Sequence, residues 1–186
     1  MSKRLLPIGV HTFETIRQGN YVYVDKTEMI HSLVTTGEVY FLSRPRRFGK
    51  SLFIDTLHQL MLGRKDLFEG LWIFDKWDWD VVYPVVRFDF GSGVVHSKEE
   101  LDSKIRFHLS NTAKKYQITM KPDVLSSQFA QLLIDLEEKY NQKVVVLVDE
   151  YDKPILDNFT NPEISEIMRD GLRDIYSVMK AQQESL

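Results

Sequence analysis

The segment that decides the fold is Val39-Tyr-Phe-Leu-Ser-Arg-Pro-Arg-Arg-Phe-Gly-Lys-Ser51. Its first five residues, 39–43, are mostly apolar, which is the pattern of a short strand covered on both faces. A basic loop at 44–49 follows, and a helix is predicted to begin at Lys50 and to end near Gly63. A strand, a loop and a helix in this order surround one point with backbone N–H groups and a helix N-terminus. That arrangement is what a bound anion needs.

The loop carries the residue types that bind the phosphates of a nucleotide. Gly49 lets the backbone approach without a side chain, Lys50 can neutralise the β and γ phosphates, and Ser51 can give an oxygen to magnesium. Arg44 stands where the usual motif has its first glycine, which puts the curvature of the loop in doubt. A strand-to-helix turn with a solvated basic loop is the alternative. The residues predicted to contact the nucleotide are Arg46, Arg47, Phe48, Gly49, Lys50, Ser51 and Leu52.

A second segment, Val144-Val-Val-Leu-Val-Asp-Glu150, places two carboxylates at the end of a predicted buried strand. Burying carboxylates there is costly unless they meet a cation or polar partners. We expect Asp149, with Ser51, to bind Mg²⁺, and Glu150 to orient and deprotonate the attacking water, with Lys50 as the second catalytic residue. A strand followed by a polar turn is the simpler alternative. Both segments place these residues at strand C-termini, where open α/β sheets bind ligands, and together they favour ATP and Mg²⁺.

Strands and helices alternate along the rest of the chain, which predicts an α/β fold with a parallel sheet flanked by helices. Further strands are predicted at 21–24 and 85–90, the second entered at Pro84. Helices are predicted at 27–36 with Thr27 as cap, from a capping box of Ser97 and Glu100 to about 116, at 124–140, and from Pro162 nearly to the end.

Composition limits the classes of partner. The 186 residues carry a net charge of −3, and basic residues cluster only in the loop, so nucleic acid is not supported. No cysteine is present, which excludes disulfides and thiolate metal sites. No apolar run approaches the roughly 20 residues of a membrane span, and a cytoplasmic protein is the simplest interpretation.

Two other groups of residues have open interpretations. The residues Asp25-Lys-Thr27 lie shortly before the predicted strand at 39–43, where they could contact adenine or could simply cap a helix. The aromatic residues of 68–79 could form a partner surface, although a small separate core under a long loop is favoured. Asp89 could approach the site, but a polar residue at a strand end is the first interpretation.

Several segments together resemble a bacterial AAA-ATPase-like family that is often followed by a nuclease-like C-terminal domain. The resemblance lies in 6–9, 23–27, 43–51, 83–86, 149–154 and 176–180. It implies a P-loop NTPase fold over residues 1–186, in which arginine at position 44 is usual. It also implies a later strand, with a polar sensor residue, between the P-loop strand and the acidic strand. No apolar strand follows Val148, so we expect a sheet that is incomplete at the C-terminus, truncated before the sensor strand.

Two functions follow from this resemblance and from the residues. One is a Mg-dependent ATPase or ATP-driven switch, which Glu150 favours. The other is a nonhydrolysing nucleotide-binding or protein-interaction module, which the expected absence of the sensor strand favours. A protein partner or self-association is possible in either case.

Overall fold

The computed structural model describes residues 4–45, 48–121 and 123–184. The chain divides into two compact units, Met1–Tyr83 and Pro84–Leu186, and each has a hydrophobic core of its own. The first unit contains α1 (Phe13–Gln18), α2 (Thr27–Thr36), α3 (Lys50–Met61) and a 3-10 turn at Lys65–Leu67. The second contains β1 (Val85–Asp89), α4 (Lys98–Lys115), α5 (Leu125–Tyr140), β2 (Val145–Asp149), α6 (Lys153–Leu156) and α7 (Pro162–Glu184).

The core of the first unit is rich in aromatic rings. Phe13 packs against Phe68 with ring centroids 4.8 Å apart, and Trp79 packs against Phe68 at 5.3 Å. Trp77 and Trp79 both lie against this core, which favours a local core over a partner surface for the aromatic segment. The fully or nearly buried members are Phe13, Ile30, Phe53, Leu60, Leu67, Phe68 and Ile73.

The segment 39–43, predicted to be a buried strand, belongs to no strand in the described part of the chain. Val39 is 75% exposed and Phe41 is 69% exposed, whereas Leu42 packs partly against the core of the first unit. The prediction is therefore wrong for these residues, because an apolar run becomes a strand only where another strand supplies ladder hydrogen bonds. Residues 21–24 form only a single parallel bridge, between Tyr21 and Leu5.

The second unit confirms an α/β fold. Strands β1 and β2 are parallel neighbours in register from Val85 opposite Val145 to Asp89 opposite Asp149. Over the described residues the sheet has these two strands, and the same part of the chain contains seven α-helices. Helix α7 was predicted from Pro162 nearly to the end, and it buries Met168, Leu172 and Ile175 along one face.

Helix ends follow the local signals of the sequence. Ser97 Oγ accepts a hydrogen bond from the Glu100 amide at 3.2 Å, and Glu100 Oε2 accepts one from the His96 amide at 2.7 Å. Asn161 Oδ1 accepts the amide of Ile164 at 3.3 Å. At α2 the capping acceptor is Asp25 rather than Thr27, because Asp25 Oδ1 accepts the Thr27 amide at 2.8 Å.

Candidate functional site

The turn into α3 is open at Gly49. Gly49 lies in the left-handed region at φ +75° and ψ +25°, a conformation that favours glycine, and among the described residues nothing lies within 4 Å of where a Cβ would stand. Gly49 is the N-cap and has no side chain to cap α3, and the first amides of a helix have no partners within the helix. The Gly49 carbonyl accepts the Phe53 amide at 3.0 Å and starts the helix.

Lys50 leans back over the loop. Its ammonium Nζ donates a hydrogen bond to the Arg44 carbonyl at 2.9 Å. The positive charge therefore stands beside the uncapped helix end, where both the dipole and the ammonium favour an anion. Ser51 is half-buried in the first turn, Phe48 is 58% exposed, and Leu52 packs against the core. Arg46 and Arg47, also predicted to contact nucleotide, lie outside the described residues.

The backbone at the acidic end of β2 departs from regular strand conformation. Asp149, the last residue of β2, is only 4% exposed, and its Oδ1 accepts the amide of Glu150 at 3.1 Å. Glu150 has φ +53°, a left-handed conformation that is uncommon for a residue with a side chain. The Glu150 carbonyl accepts the Lys153 amide at 3.0 Å and closes a turn into α6. Such backbone outliers are concentrated at functional sites.

Asp89 lies beside this strand end. It pairs with Asp149 in the ladder, and its Oδ1 accepts the amide of Gly91 at 2.8 Å. His108 Nε2 lies 3.0 Å from the Asp89 carbonyl, which can only accept, so this nitrogen carries the proton. Burial lowers the pKa of His108, and the carbonyl and carboxylate of Asp89 offset only part of that effect.

Two lysines that sequence reasoning missed also surround the strand end. Lys104 on α4 and Lys153 on α6 both bind carbonyl oxygens of the loop after β1. Burial lowers the pKa of Lys104, and the nearby ammonium of Lys153 lowers it further. Lys153 lies in segment 149–154, which carries part of the family resemblance, although no role was predicted for it. Nothing in the spacing of Lys104 distinguishes it from a surface residue.

The adenine interpretation of Asp25 gains no support from its contacts. Its Oδ1 accepts the Thr27 hydroxyl at 2.7 Å, and its Oδ2 accepts the Trp72 amide at 2.7 Å. The Thr27 hydroxyl oxygen accepts the Ile73 amide at 3.2 Å. Burial opposes ionisation, but the hydrogen bonds from Trp72 and Thr27 outweigh it and keep the pKa of Asp25 below its ordinary value. The contacts of residues 25–27 are explained by capping of α2 and by hydrogen bonds to the backbone of Trp72 and Ile73.

The segments 149–154 and 176–180, which both contributed to the family resemblance, meet in the second unit. Burial, with Tyr151 and Asp152 nearby, raises the pKa of Tyr176 to about 12. Helix α6, which follows the turn after β2, packs against α7.

The residues predicted to bind magnesium are of a suitable chemical type, although the described residues contain no complete set of protein ligands for a metal ion. Within the described ranges no group of three or more His, Asp or Glu side chains could hold a metal ion. Mg²⁺ usually takes only one or two protein oxygens and completes its shell with water and phosphate oxygens. The hydroxyl of Ser51 and the carboxylate of Asp149 fit that preference by chemical type.

The second unit has an α/β fold, and comparison with known proteins shows the family to which the chain belongs. The chain belongs to the AAA-ATPase-like family, described as "Predicted AAA-ATPase", whose model matches residues 7–186. At the level of the family, this match supports an ATPase that binds a nucleotide. No solved structure matches the chain.

One relative is a protein of Azotobacter chroococcum mcd 1 described as "Uncharacterized protein in vnfD 5'region". It is 49% identical over 181 residues, which cover 97% of this chain and 35% of the relative. The chain therefore spans about a third of the length of that relative. Among the described residues, no helix combines the length and the apolarity that crossing a membrane requires.

Proposed function

We propose that this chain is an ATP-binding P-loop domain and acts as a Mg-dependent ATPase or an ATP-driven switch. The observation that carries the proposal is the start of α3, with a left-handed Gly49, an uncapped helix N-terminus and the Lys50 ammonium over the loop. These features place backbone amide donors and a positive charge together at an exposed position. A phosphate chain is the ligand best suited to that position.

In this proposal the phosphates bind along the loop. Gly49, Lys50 and Ser51 take the β and γ phosphates, with the neighbouring residues Phe48 and Leu52 and the arginines at 46 and 47 completing the contact region. Lys50 stabilises the charge that develops on the phosphates during transfer. The contact between Lys50 and the Arg44 carbonyl is then exchanged for a contact with phosphate.

The acidic strand end supplies the remaining groups. Ser51 and Asp149 would hold Mg²⁺, which would neutralise phosphate charge when bound. Glu150 would orient the attacking water and accept its proton. The burial of Asp149 and the left-handed backbone of Glu150 support special roles for both residues. The parallel pair β1 and β2 supports a P-loop NTPase sheet over residues 1–186, and the family match supports the same fold.

A second candidate is a nonhydrolysing nucleotide-binding or protein-interaction module. The observation in its favour is segment 39–43, which leads into the loop but belongs to no strand among the described residues. Positioning a water for in-line attack tolerates little displacement, whereas binding phosphates tolerates more. If no rigid strand supports the loop, ATP hydrolysis would therefore be lost before nucleotide binding.

Calorimetry with ATP and ADP, with and without Mg²⁺, tests the proposal. Lys50→Ala should weaken binding at least roughly ten-fold, because a charge-assisted contact contributes about 1.5–3 kcal/mol. Lys121→Ala, at an exposed position, serves as the control and should leave affinity unchanged. Equal affinities of the wild type and Lys50→Ala would show that the phosphate assignment is wrong.

A further inference from the structure

Both strands of the second unit end in an aspartate. Strand β1 ends at Asp89 and β2 ends at Asp149, and the two residues are partners in the parallel ladder. The preceding pair of partners, Phe88 and Val148, packs against the core of the second unit. Successive side chains of a strand point to opposite faces, so Asp89 and Asp149 project together from the other face of the sheet. Because adjacent strands are about 4.8 Å apart, the two carboxylates are neighbours.

Neither carboxylate has a cation as its partner. Asp149 is only 4% exposed, and its Oδ1 accepts the amide of Glu150 at 3.1 Å. Asp89 is half-buried, and its Oδ1 accepts the amide of Gly91 at 2.8 Å. In the described part of the chain, no hydrogen bond reaches the second oxygen of either carboxylate, and neither residue takes part in an ion pair. A buried carboxylate beside a second carboxylate is costly unless a cation compensates the charge.

The nearby lysine on α4 does not supply that compensation. Burial lowers the pKa of Lys104, and the charge of Asp89 offsets part of the lowering, so the two groups are close. The Lys104 ammonium nevertheless donates its hydrogen bonds to the carbonyls of Phe90 and Ser92. The free oxygens of the aspartate pair are therefore left for a ligand that carries positive charge.

We propose that Asp89 is a ligand of a divalent cation and binds the ion together with Asp149 at the ends of β1 and β2. Mg²⁺ is commonly bound through one or two carboxylates, with water and phosphate oxygens completing its shell. The pair gives the second unit an affinity for the ion that does not require nucleotide. The inference rests on the proposed function for the role of the ion, but cation binding can be measured without it.

The first test is a titration with Mn²⁺, a paramagnetic substitute for Mg²⁺, in the absence of nucleotide, with free ion measured by electron paramagnetic resonance. Asp89→Asn removes the charge and keeps the Oδ1 that accepts the Gly91 amide. It should weaken Mn²⁺ binding by about ten-fold or more, since even residues that only support metal ligands contribute that much. Asp174→Asn, which changes an exposed carboxylate of the same unit, is the control and should leave the affinity unchanged. Unchanged affinity in Asp89→Asn, or a wild type that binds no Mn²⁺, would overturn the inference.

Thermal unfolding separates this role from a merely structural one. In EDTA, Asp89→Asn should unfold at or above the temperature of the wild type, because it removes repulsion between carboxylates that are directly opposite in the ladder. Mg²⁺ should raise the unfolding temperature of the wild type more than that of Asp89→Asn, since an ion that binds the folded chain stabilises it. If the carboxylate served only the turn at Gly91, Asp89→Asn would be no more stable than the wild type in EDTA and would gain as much from Mg²⁺. That equal gain, or an Asp89→Asn chain less stable than the wild type in EDTA, would count against the cation site.

Failure of the proposed function gives a different result. A chain that binds no ATP but binds Mn²⁺ through Asp89 would refute the proposed function and leave this inference standing. A chain whose ATP binding depends on Mg²⁺ through Asp149, with Asp89→Asn indistinguishable from the wild type, would refute this inference alone.

Discussion

The carboxylate of Asp55 accepts a hydrogen bond at 2.7 Å from the backbone N–H of Phe13, which lies 42 residues earlier in the chain. Asp55 belongs to α3, four residues after Ser51, and Phe13 is the first residue of α1. Asp55 is 5% exposed and Phe13 is fully buried. A carboxylate at the first amide of a helix is favourable because the helix N-terminus carries partial positive charge. This hydrogen bond connects α3, which begins after the loop at 44–49, to α1 in the core of the same unit.

We predict that Asp55→Ala lowers the free energy of unfolding by about 1–3 kcal/mol, because it leaves the Phe13 amide buried without its acceptor. Urea denaturation followed by circular dichroism measures this loss. Asp55→Asn keeps an oxygen acceptor and should cost less. Asp75→Ala, at an exposed position, should stay within about 0.5 kcal/mol of the wild type. A loss for Asp55→Ala no larger than that of Asp75→Ala would contradict this role.

The stability of the folded chain should depend on pH because of His108. Burial lowers its pKa in the folded chain below the ordinary value of 6.5, despite the favourable carbonyl and carboxylate of Asp89. As the pH falls through about 6.5, the unfolded chain takes up a proton that the folded chain resists, so stability falls until the pH passes the folded pKa. Lys104 and Arg87 oppose protonation of His108 as well.

His108→Gln should remove this fall in stability, because glutamine does not titrate and its amide can still donate to the Asp89 carbonyl. Thermal unfolding between pH 5 and pH 8 provides the measurement, with exposed His11→Gln as the control. The wild type should lose stability on the acid side relative to His108→Gln, and the two should converge in slope above neutral pH. Parallel profiles would show that His108 does not titrate differently in the folded and unfolded chains.

Magnesium dependence tests the roles of Ser51 and Asp149. We expect Mg²⁺ to strengthen ATP binding to the wild type, and we expect Ser51→Ala and Asp149→Asn to reduce this strengthening without abolishing ATP binding in EDTA. Asn at 149 keeps the Oδ1 that accepts the Glu150 amide, so the turn is preserved. Titrations of each variant with and without Mg²⁺ give the ratio of affinities. Asp75→Asn is the control, and an unchanged ratio in Asp149→Asn would remove Asp149 from the proposed metal site.

The sequence predicted most helices within one or two residues, because the signals that end helices are local. Ser97 with Glu100, Asn161 with Pro162, and Gly63 each act within one turn of the chain. The segment 39–43 was predicted wrongly, since a strand depends on a partner that may lie anywhere in the chain and that no local pattern specifies. Strand β2 was predicted correctly as a strand and pairs with β1 of the same unit, although only Leu147 and Asp149 of its five residues are buried.

The residue types of the candidate site could be predicted from the sequence, but the contacts and backbone conformations that hold those residues could not. The motif residues Lys50, Ser51, Asp149 and Glu150 follow from a linear pattern. Asp55 has no pattern to reveal it, since a single acidic residue in an amphipathic helix is usually solvent-exposed. The left-handed backbone of Glu150 is equally invisible in sequence, because glutamate rarely adopts that conformation.

Segment 39–43 is expected to mediate self-association of the chain. Val39 is 75% exposed, in an extended stretch of β-branched and aromatic residues, and such stretches associate with other chains when they are left uncovered. We expect the 186-residue chain to self-associate with rising concentration, and Val39→Lys to reduce the association, as measured by sedimentation velocity. Val124→Lys, at a position 66% exposed but outside such a stretch, is the control and should have little effect.

We also expect ATP hydrolysis by this chain to stay near background while binding survives, because segment 39–43, which leads into the loop at 44–49, pairs with no strand among the described residues. Glu150→Gln should then change the rate little. Robust hydrolysis by a monomeric chain, abolished by Glu150→Gln, would contradict this expectation and favour the complete ATPase over the nonhydrolysing module.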